Sequence, residues 1–559
     1  MRALAELDVL IVDCQTTGAS PAFGCVLELG WGLARANRGE LVGAEAHWIA
    51  LPAGQRVSRQ VQRITGYEPA HAAHALPDSD AWARLRQAVQ RSAAAPTAIH
   101  YARFELAFLR DWSARLEPQS PFPFDPVCVH AIATRLYPDL PRQSLRALAG
   151  YLGHSLDLAR RSLGHVEATA FVWQRMCAEL AVRNVVTWEQ LQTWLGERAP
   201  AKDRSKKPRY PIASERYKGL PDAPGVYRFL RSNRDLLYVG KAASLKKRVA
   251  SHFSGRASKL LAPEMLTQVG EIEFTLAPSA LEAALLENDM IKTLRPPYNV
   301  QLALQHGVWY STRDFTAVMP TRNAEYAVGP LASQYSLRPL AALIELSSGV
   351  PATPQLRSQA VGVSDLWTPD EAVFAAGWAE LVARHPAAFA LAAARPRHGA
   401  LQLAKQLLCG AASQAVEEHE SREKPEGWDP ERVARHIERA LAQSFRAYRR
   451  ARFLQLLHDS EVVYREPNAV QARLLRIRDG ALAESVELAP DSLPSQVAAR
   501  AAESRSLDKL HFDRAKYDRL RVLTSELKRI ARDGGEVAVH FGPRSSIPKR
   551  WLAGVLRLV

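Results

Sequence analysis

Hydrophobic and polar positions along the first 195 residues switch between two periods. Val9–Val12 is a short unbroken apolar run of the length of a buried strand. Cys25–Ala34 and Leu41–Leu51 are also strand-like, and Ala98–Tyr101 reads as a buried strand leading directly into a helix. Helical periodicity predicts helices near 103–115, 126–136, 143–152 and 163–182. Ahead of the first strand, Glu6 and Asp8 interrupt the apolar run of MRALAELDVLIVD, so this segment reads as a helical lead-in and not as a signal peptide. Strands interleaved with helices in this way imply an α/β domain with a mixed sheet.

The period fails at 196–218, which holds eight Lys/Arg, three acids and three prolines and reads as a basic linker. Beyond it, 219–305 forms a second, smaller α/β unit. Val226–Phe229 and Leu236–Val239 are short strands that the turn SNRD joins into a hairpin, with helices at 244–253 and 279–294. Ser279 and Glu282 have the spacing of a capping box for the second helix. Residues 306–559 predict a mixed α+β region. Ala- and Leu-rich helical segments fill 370–415, and Asp429-Pro430 supplies an N-cap and N1 pair for a long helix to about 457. Strand-like runs follow at 460–465, 470–477, 481–488 and 536–541.

Composition narrows the function classes. The 559 residues are 47% hydrophobic and 23% charged, ordinary for globular material. No stretch approaches the ~18 apolar residues of a membrane span. Five cysteines, none in a CxxC pair, imply neither a zinc site nor a disulfide framework and fit a reducing cytoplasm. The net charge of +15 points to a polyanionic partner such as a nucleic acid, although an Arg-rich composition produces such a charge as readily without one.

The chemistry-bearing residues of 219–305 are Tyr227 in Gly225-Val226-Tyr227, Tyr238 in Tyr238-Val239-Gly240, then Lys241, Arg248, His252, Glu287 and Asn299. Singly they are commonplace: tyrosines on adjacent strands pack sheets, and a helical glutamate is usually a solvated charge. In this order, with the tail LLENDMIKTLRPPYN, they resemble the GIY-YIG nuclease domain of UvrC and the related Cho excinucleases. The types suit phosphodiester hydrolysis, which needs an activated water and neutralised phosphoryl charge. Glu287 alone can hold one Mg²⁺ (or Mn²⁺) that keeps most of its waters. Arg248 offers a planar fork to the scissile phosphate. Tyr227, helped by Lys241 or His252, is one candidate general base and Tyr238 the other; spacing does not separate them. Asn299 is placed to orient a phosphate or a backbone group. Many relatives have Tyr where His252 stands, but a titratable group is kept.

A second resemblance covers about 5–182. Asp13-Cys14-Gln15-Thr16-Thr17-Gly18 with Val26-Leu27-Glu28-Leu29-Gly30, then His100-Tyr101-Ala102-Arg103-Phe104-Glu105, then Arg160–Ala170, resemble the three motifs of DnaQ-like DEDDh exonucleases. That family has an RNase H-like fold and holds two metals between four carboxylates, with a histidine base. Here the acid positions read Asp13, Gln15, Glu105 and His165, and the base position reads Arg160, which cannot accept a proton. Glu167, two residues past His165, points away from it on a helix. The resemblance therefore implies a catalytically degenerate domain whose residual site is Asp13 and Glu105.

The 430–457 helix carries Arg432, Arg435, Arg439, Arg446, Arg449, Arg450 and Arg452 between Val433, Ile437, Leu441, Phe445 and Tyr448. This is an amphipathic helix with a basic face that is either solvated or set against a DNA backbone. Gly329-Pro330-Leu331 resembles a short sequence that follows the nuclease in UvrC/Cho relatives, but nothing further assigns a role to 306–559. The expected organisation is thus an exonuclease-type domain (1–195), a basic linker (196–218), a GIY-YIG domain (219–305) and a C-terminal region (306–559). The expected activity is metal-dependent endonucleolytic cutting of DNA, in nucleotide excision repair, in company with excision-repair or replication proteins. A working 3′-to-5′ exonuclease and a non-catalytic DNA-binding scaffold are the alternatives.

Overall fold

The computed structural model describes residues 3–91, 96–154, 160–197, 210–254, 263–299, 307–410, 427–467, 469–489, 512–541 and 546–547. The chain packs as two compact units. One is Met1–Ala283 with Arg295–Val300; the other is Ala284–Leu294 with Gln301–Val559.

The first unit opens with a five-stranded mixed sheet in the order Glu40–Trp48, Val26–Arg35, Val9–Thr16, Pro96–Ile99, Asp125–Cys128. The first three strands pair antiparallel and the last two join in parallel. Val9–Thr16 is central and almost wholly buried because layers cover both of its faces. Val9 and Ile11 pack with Val166, Val172 and Trp173 of the Ser162–Val182 helix, while Leu10 and Val12 pack with Trp82, Phe108 and Trp112 on the other side. The run reads as continuous apolar sequence for that reason.

Two expectations change here. Residues 125–128 form a strand instead of the start of a helix, which runs from Val129 to Leu136. Pro126 is compatible with this because the strand lies at a sheet edge, where a missing N–H costs no ladder bond. Asp78–Arg91 is a helix that the sequence reading did not assign, although Ala81, Trp82, Leu85, Ala88 and Val89 recur at helical spacing and are all buried.

The same unit holds a three-stranded antiparallel sheet in the order Leu236–Ala242, Gly225–Leu230, Glu271–Leu276. The hairpin between the first two is as expected; the third strand was not anticipated. Helix Leu245–Phe253 packs on this sheet, with Leu245 and Val249 in the core beside Tyr227 and Phe229. The end of the expected linker is part of this core: Ile212 is buried in it, and Tyr217 stacks on Phe253. Residues 198–209 lie outside the described residues. The two sheets of this unit are joined by direct contacts. Ser144 Oγ donates to Glu264 Oε2 (2.9 Å), and Asn233 Nδ2 donates to the Gly153 carbonyl (3.1 Å).

In the second unit, helices Arg338–Ser347, Pro354–Val361, Glu371–Arg384 and Pro396–Cys409 surround the long Pro430–Leu457 helix, whose Val433, Ile437, Leu441 and Phe445 are core residues. Asp429 caps that helix by accepting from Arg432 N–H (2.7 Å). Arg435, Arg439 and Arg452 are exposed, as the amphipathic reading requires. The four expected strands are present within a five-stranded antiparallel sheet, and Arg514–Arg532 is a further helix. Among the described residues, no helix is long and apolar enough to cross a membrane.

Candidate active site

In an antiparallel pair, residues directly opposed share a face. Tyr227 faces Gly240 and Phe229 faces Tyr238, so both motif tyrosines and the motif glycine lie together. Gly240 admits no side chain: a Cβ there would stand 2.5 Å from the Tyr227 hydroxyl and 2.7 Å from the Tyr238 ring. Alternation puts Lys241 on the opposite face of the strand from Tyr238, so the backbone does not gather it with the tyrosines.

Helix Leu245–Phe253 brings His252 over this face. Its start is fixed by Ser244, which accepts from Lys247 N–H (3.2 Å). Tyr227 Oη and His252 Nε2 are 2.8 Å apart, and both residues are buried. Burial, and after it the Arg248 guanidinium one turn earlier on the helix, push the His252 pKa down to about 4. The imidazole is therefore neutral at pH 7, and one proton lies between two atoms that can each hold it. The Tyr238 ring lies 6.1 Å from that of Tyr227 but is only half-buried. Arg248 is half-exposed on the same helix.

Asn299 resolves to one of its two expected uses. Its Oδ1 accepts from Val239 N–H (2.9 Å) and its Nδ2 donates to the Val239 carbonyl (2.8 Å). The amide thus pairs with the backbone of the edge strand at the residue between Tyr238 and Gly240, and fixes its course. Glu287 is half-buried on helix Ala280–Leu294, whose first turn has the expected Ser279 cap: Ser279 Oγ accepts from Glu282 N–H (3.1 Å). The division between the two compact units passes through this helix, leaving Glu287 with the second.

The residues of the exonuclease-like motifs gather at the centre of the larger sheet and pair in part with one another, while Asp13 Oδ2 and Gln15 Oε1 are buried without a hydrogen-bond partner among the described residues. Asp13 Oδ1 lies 3.2 Å from His165 Nδ1. Glu105 Oε2 accepts from Cys14 N–H (2.9 Å), and burial, reinforced by the Asp13 charge, raises its pKa well above the carboxylate range. Gln15 Nε2 donates to the Arg160 carbonyl. Opposite Gln15 stands a third acid that the motif reading gave no role, Glu28. It is fully buried, accepts from Ser162 N–H (2.9 Å) and pairs with Arg161, whose guanidinium lies 4.4 Å from the centre of the Trp48 ring. Glu28 therefore serves the N-terminus of the Ser162–Val182 helix. Its signal in the sequence was a lone glutamate in the otherwise apolar run Val26–Ala34. Beside the cluster, burial and then the neighbouring His130 hold the His100 pKa down at about 3. Glu167 is exposed.

Two metals about 4 Å apart need dense negative charge. This cluster supplies Asp13 with one oxygen against a histidine, a Glu105 whose charged form burial disfavours, and a Glu28 already paired. No group of three or more His, Cys, Asp or Glu able to hold a metal occurs among the described residues. The residues do not fit a two-metal centre.

Residues 223–300 match the UvrC-like GIY-YIG domain family. The UvrABC system protein C of Xanthomonas campestris pv. campestris is 49% identical over 83 residues, which is 15% of this chain and 13% of that protein. A putative bifunctional exonuclease/endonuclease protein of Mycobacterium tuberculosis is 26% identical over 362 residues, 62% of this chain and 54% of that protein. The chain therefore spans about half the length of the second relative and far less of the first. The crystallised GIY-YIG N-terminal endonuclease domain of UvrC from Thermotoga maritima, bound to magnesium, is 30% identical, with 15% of this chain and 92% of that one covered and a TM-score of 0.14. At that score the superposition adds nothing to the sequence match. Residues 223–300 thus carry a UvrC-like GIY-YIG domain, which follows an α/β domain in the chain.

Proposed function

We propose that this protein is a DNA endonuclease of the UvrC/Cho type that acts in nucleotide excision repair, and that its exonuclease-type domain is inert. The observation that carries the reading is the complete GIY-YIG set, with Tyr227 and His252 locked in a buried contact behind a half-exposed Tyr238. A group that takes a proton from the attacking water must touch that water. Tyr227 is fully buried, so Tyr238 is the general base and the Tyr227–His252 pair holds the sheet and helix in register behind it. Arg248 faces the scissile phosphate with its donor fork. Asn299 holds the Tyr238 strand.

Glu287 fits a single Mg²⁺ in its donor chemistry: one carboxylate, half-exposed, leaves the ion room to keep its waters. When bound, the ion neutralises charge at the phosphate and helps the leaving oxygen. The net charge of +15 favours DNA in trans to all of this. The test is a lesion-bearing and an undamaged duplex, each labelled at either end and incubated with Mg²⁺. Internal cuts near the lesion support the reading. A ladder from the 3′ end supports a working exonuclease, and an unchanged substrate that is nonetheless bound supports a scaffold.

A further inference from the structure

The sequence assigned nothing to residues 512–535, yet they reach the helix that carries Glu287. Asp518 and Arg519 are neighbours on helix Arg514–Arg532, and each forms an ion pair with helix Ala280–Leu294. Lys292 Nζ lies 2.7 Å from Asp518 Oδ2, and Arg519 Nη2 lies 2.9 Å from Asp289 Oδ1. The first pair is largely buried; the second is more open, with the Asp289 side chain 40% exposed. The Asp518 side chain is 3% exposed and the Lys292 side chain 15%. Asp518 is also held by Arg514 Nε (2.9 Å), and Arg519 Nη1 donates to the Gly480 carbonyl (3.2 Å) in the turn between two strands of the C-terminal sheet. Lys516 Nζ fastens the same turn through Asp479 (2.8 Å). The helix Arg514–Arg532 is therefore anchored to its own sheet before it grips anything else.

The face that it grips is informative. At about 100° per residue, Asp289 and Lys292 stand about 200° and 140° around the helix from Glu287. They flank the line directly opposite the glutamate. The grip is on the back of the helix, and Glu287 is on the front.

We propose that Asp518 and Arg519 are positioning residues for Glu287: by holding Lys292 and Asp289, they make the C-terminal unit set where the metal-ligating carboxylate stands. This rests on the endonuclease reading above. A displacement of about 1 Å in a catalytic group is enough to cost a large factor in rate, so the role would be felt in turnover and not in DNA binding.

The experiment uses the full-length protein with Arg519→Ala, Asp289→Arg and the exchanged pair Asp289→Arg with Arg519→Asp, against wild type. Two quantities are read: kcat and KM for cutting a labelled duplex in Mg²⁺, and hydrogen exchange of the amides of 284–294 without metal. The expected result is a kcat about tenfold lower for each single variant, with KM for DNA within about twofold, faster exchange in 284–294, and recovery of both in the exchanged pair. Single variants with wild-type kcat and wild-type exchange overturn the proposal, as does an exchanged pair that keeps wild-type melting but recovers neither quantity. If wild type itself does not cut but the single variants still exchange faster and the exchanged pair recovers, the endonuclease reading has failed and the grip on the helix stands.

Discussion

Two histidines in this chain sit against acidic groups, and the two regions use them in opposite ways. In the exonuclease-type domain, His165 pairs with Asp13, the one position of that motif set left unchanged, and so occupies a carboxylate that a metal would need. In the GIY-YIG domain, His252 is kept neutral by burial and pairs with a phenol, so no carboxylate is drawn into the pair. Neither pattern is visible in a tally of acids and bases. The lesson is that a site's competence depends on what each polar group is paired with, and not on its mere presence in the sequence.

The sharpest way to break this comparison is at Tyr238. Tyr238→Phe removes the proposed base and should lower the cutting rate by about 10²–10⁴-fold while leaving the fold intact. Tyr227→Phe should cost less, because its hydroxyl meets His252 and not the water. A larger loss at Tyr227 than at Tyr238 would reverse the assignment of base and support.

The next effect is on binding. With cutting silenced by Glu287→Gln, affinity for duplex DNA should fall by at least about tenfold between 50 and 200 mM salt, since each phosphate neutralised releases a counterion. A flat plot of log affinity against log salt would mean that the charge of +15 is compositional.

The smallest effects are on stability and should differ in sign between the two regions. Glu105 has a folded pKa above its unfolded value, so its ionisation above the ordinary carboxylate range is a burden that grows as pH rises towards the folded pKa. Glu105→Gln should therefore raise the melting temperature at pH 8 and change it little at pH 4. His252 has a folded pKa of about 4, below the unfolded value of about 6.5, so its contribution is full above the unfolded value and is lost as pH falls through that window. His252→Gln should flatten that acid-side loss. Thermal melts from pH 4 to pH 8 read both; a Glu105→Gln protein that is less stable at pH 8 than wild type would show that the buried acid is not a burden.

How far the sequence was legible follows the same division. The strands and helices around the sites were readable because burial imposes period: Val9–Val12 is apolar throughout since its strand is covered on both faces, and Gly225–Leu230 with Leu236–Ala242 form the hairpin that the turn SNRD announces. The motif residues were readable as a set. What the sequence did not disclose was partnership across long separations. Glu28 meets Ser162 across 134 residues and Arg519 meets Asp289 across 230, and no local period records either. Asn299 was left between two uses because only the structure shows that both halves of its amide are spent on Val239. Strand Glu271–Leu276 was not assigned although EIEFTL alternates polar and apolar at every position; none of its residues is buried, and Phe274 and Leu276 are exposed. Asp78–Arg91 had the helical spacing and was simply overlooked.

The central claim is that cutting belongs to the GIY-YIG set and owes nothing to the exonuclease-type cluster. One measurement separates them: full-length wild type, Glu287→Ala and Asp13→Asn, on the same doubly end-labelled lesion duplex in Mg²⁺, with DNA binding measured alongside. The account predicts internal cuts from wild type and from Asp13→Asn at equal rates, and none from Glu287→Ala, with all three binding DNA alike. Loss of products in Asp13→Asn, or undiminished cutting in Glu287→Ala, would contradict it.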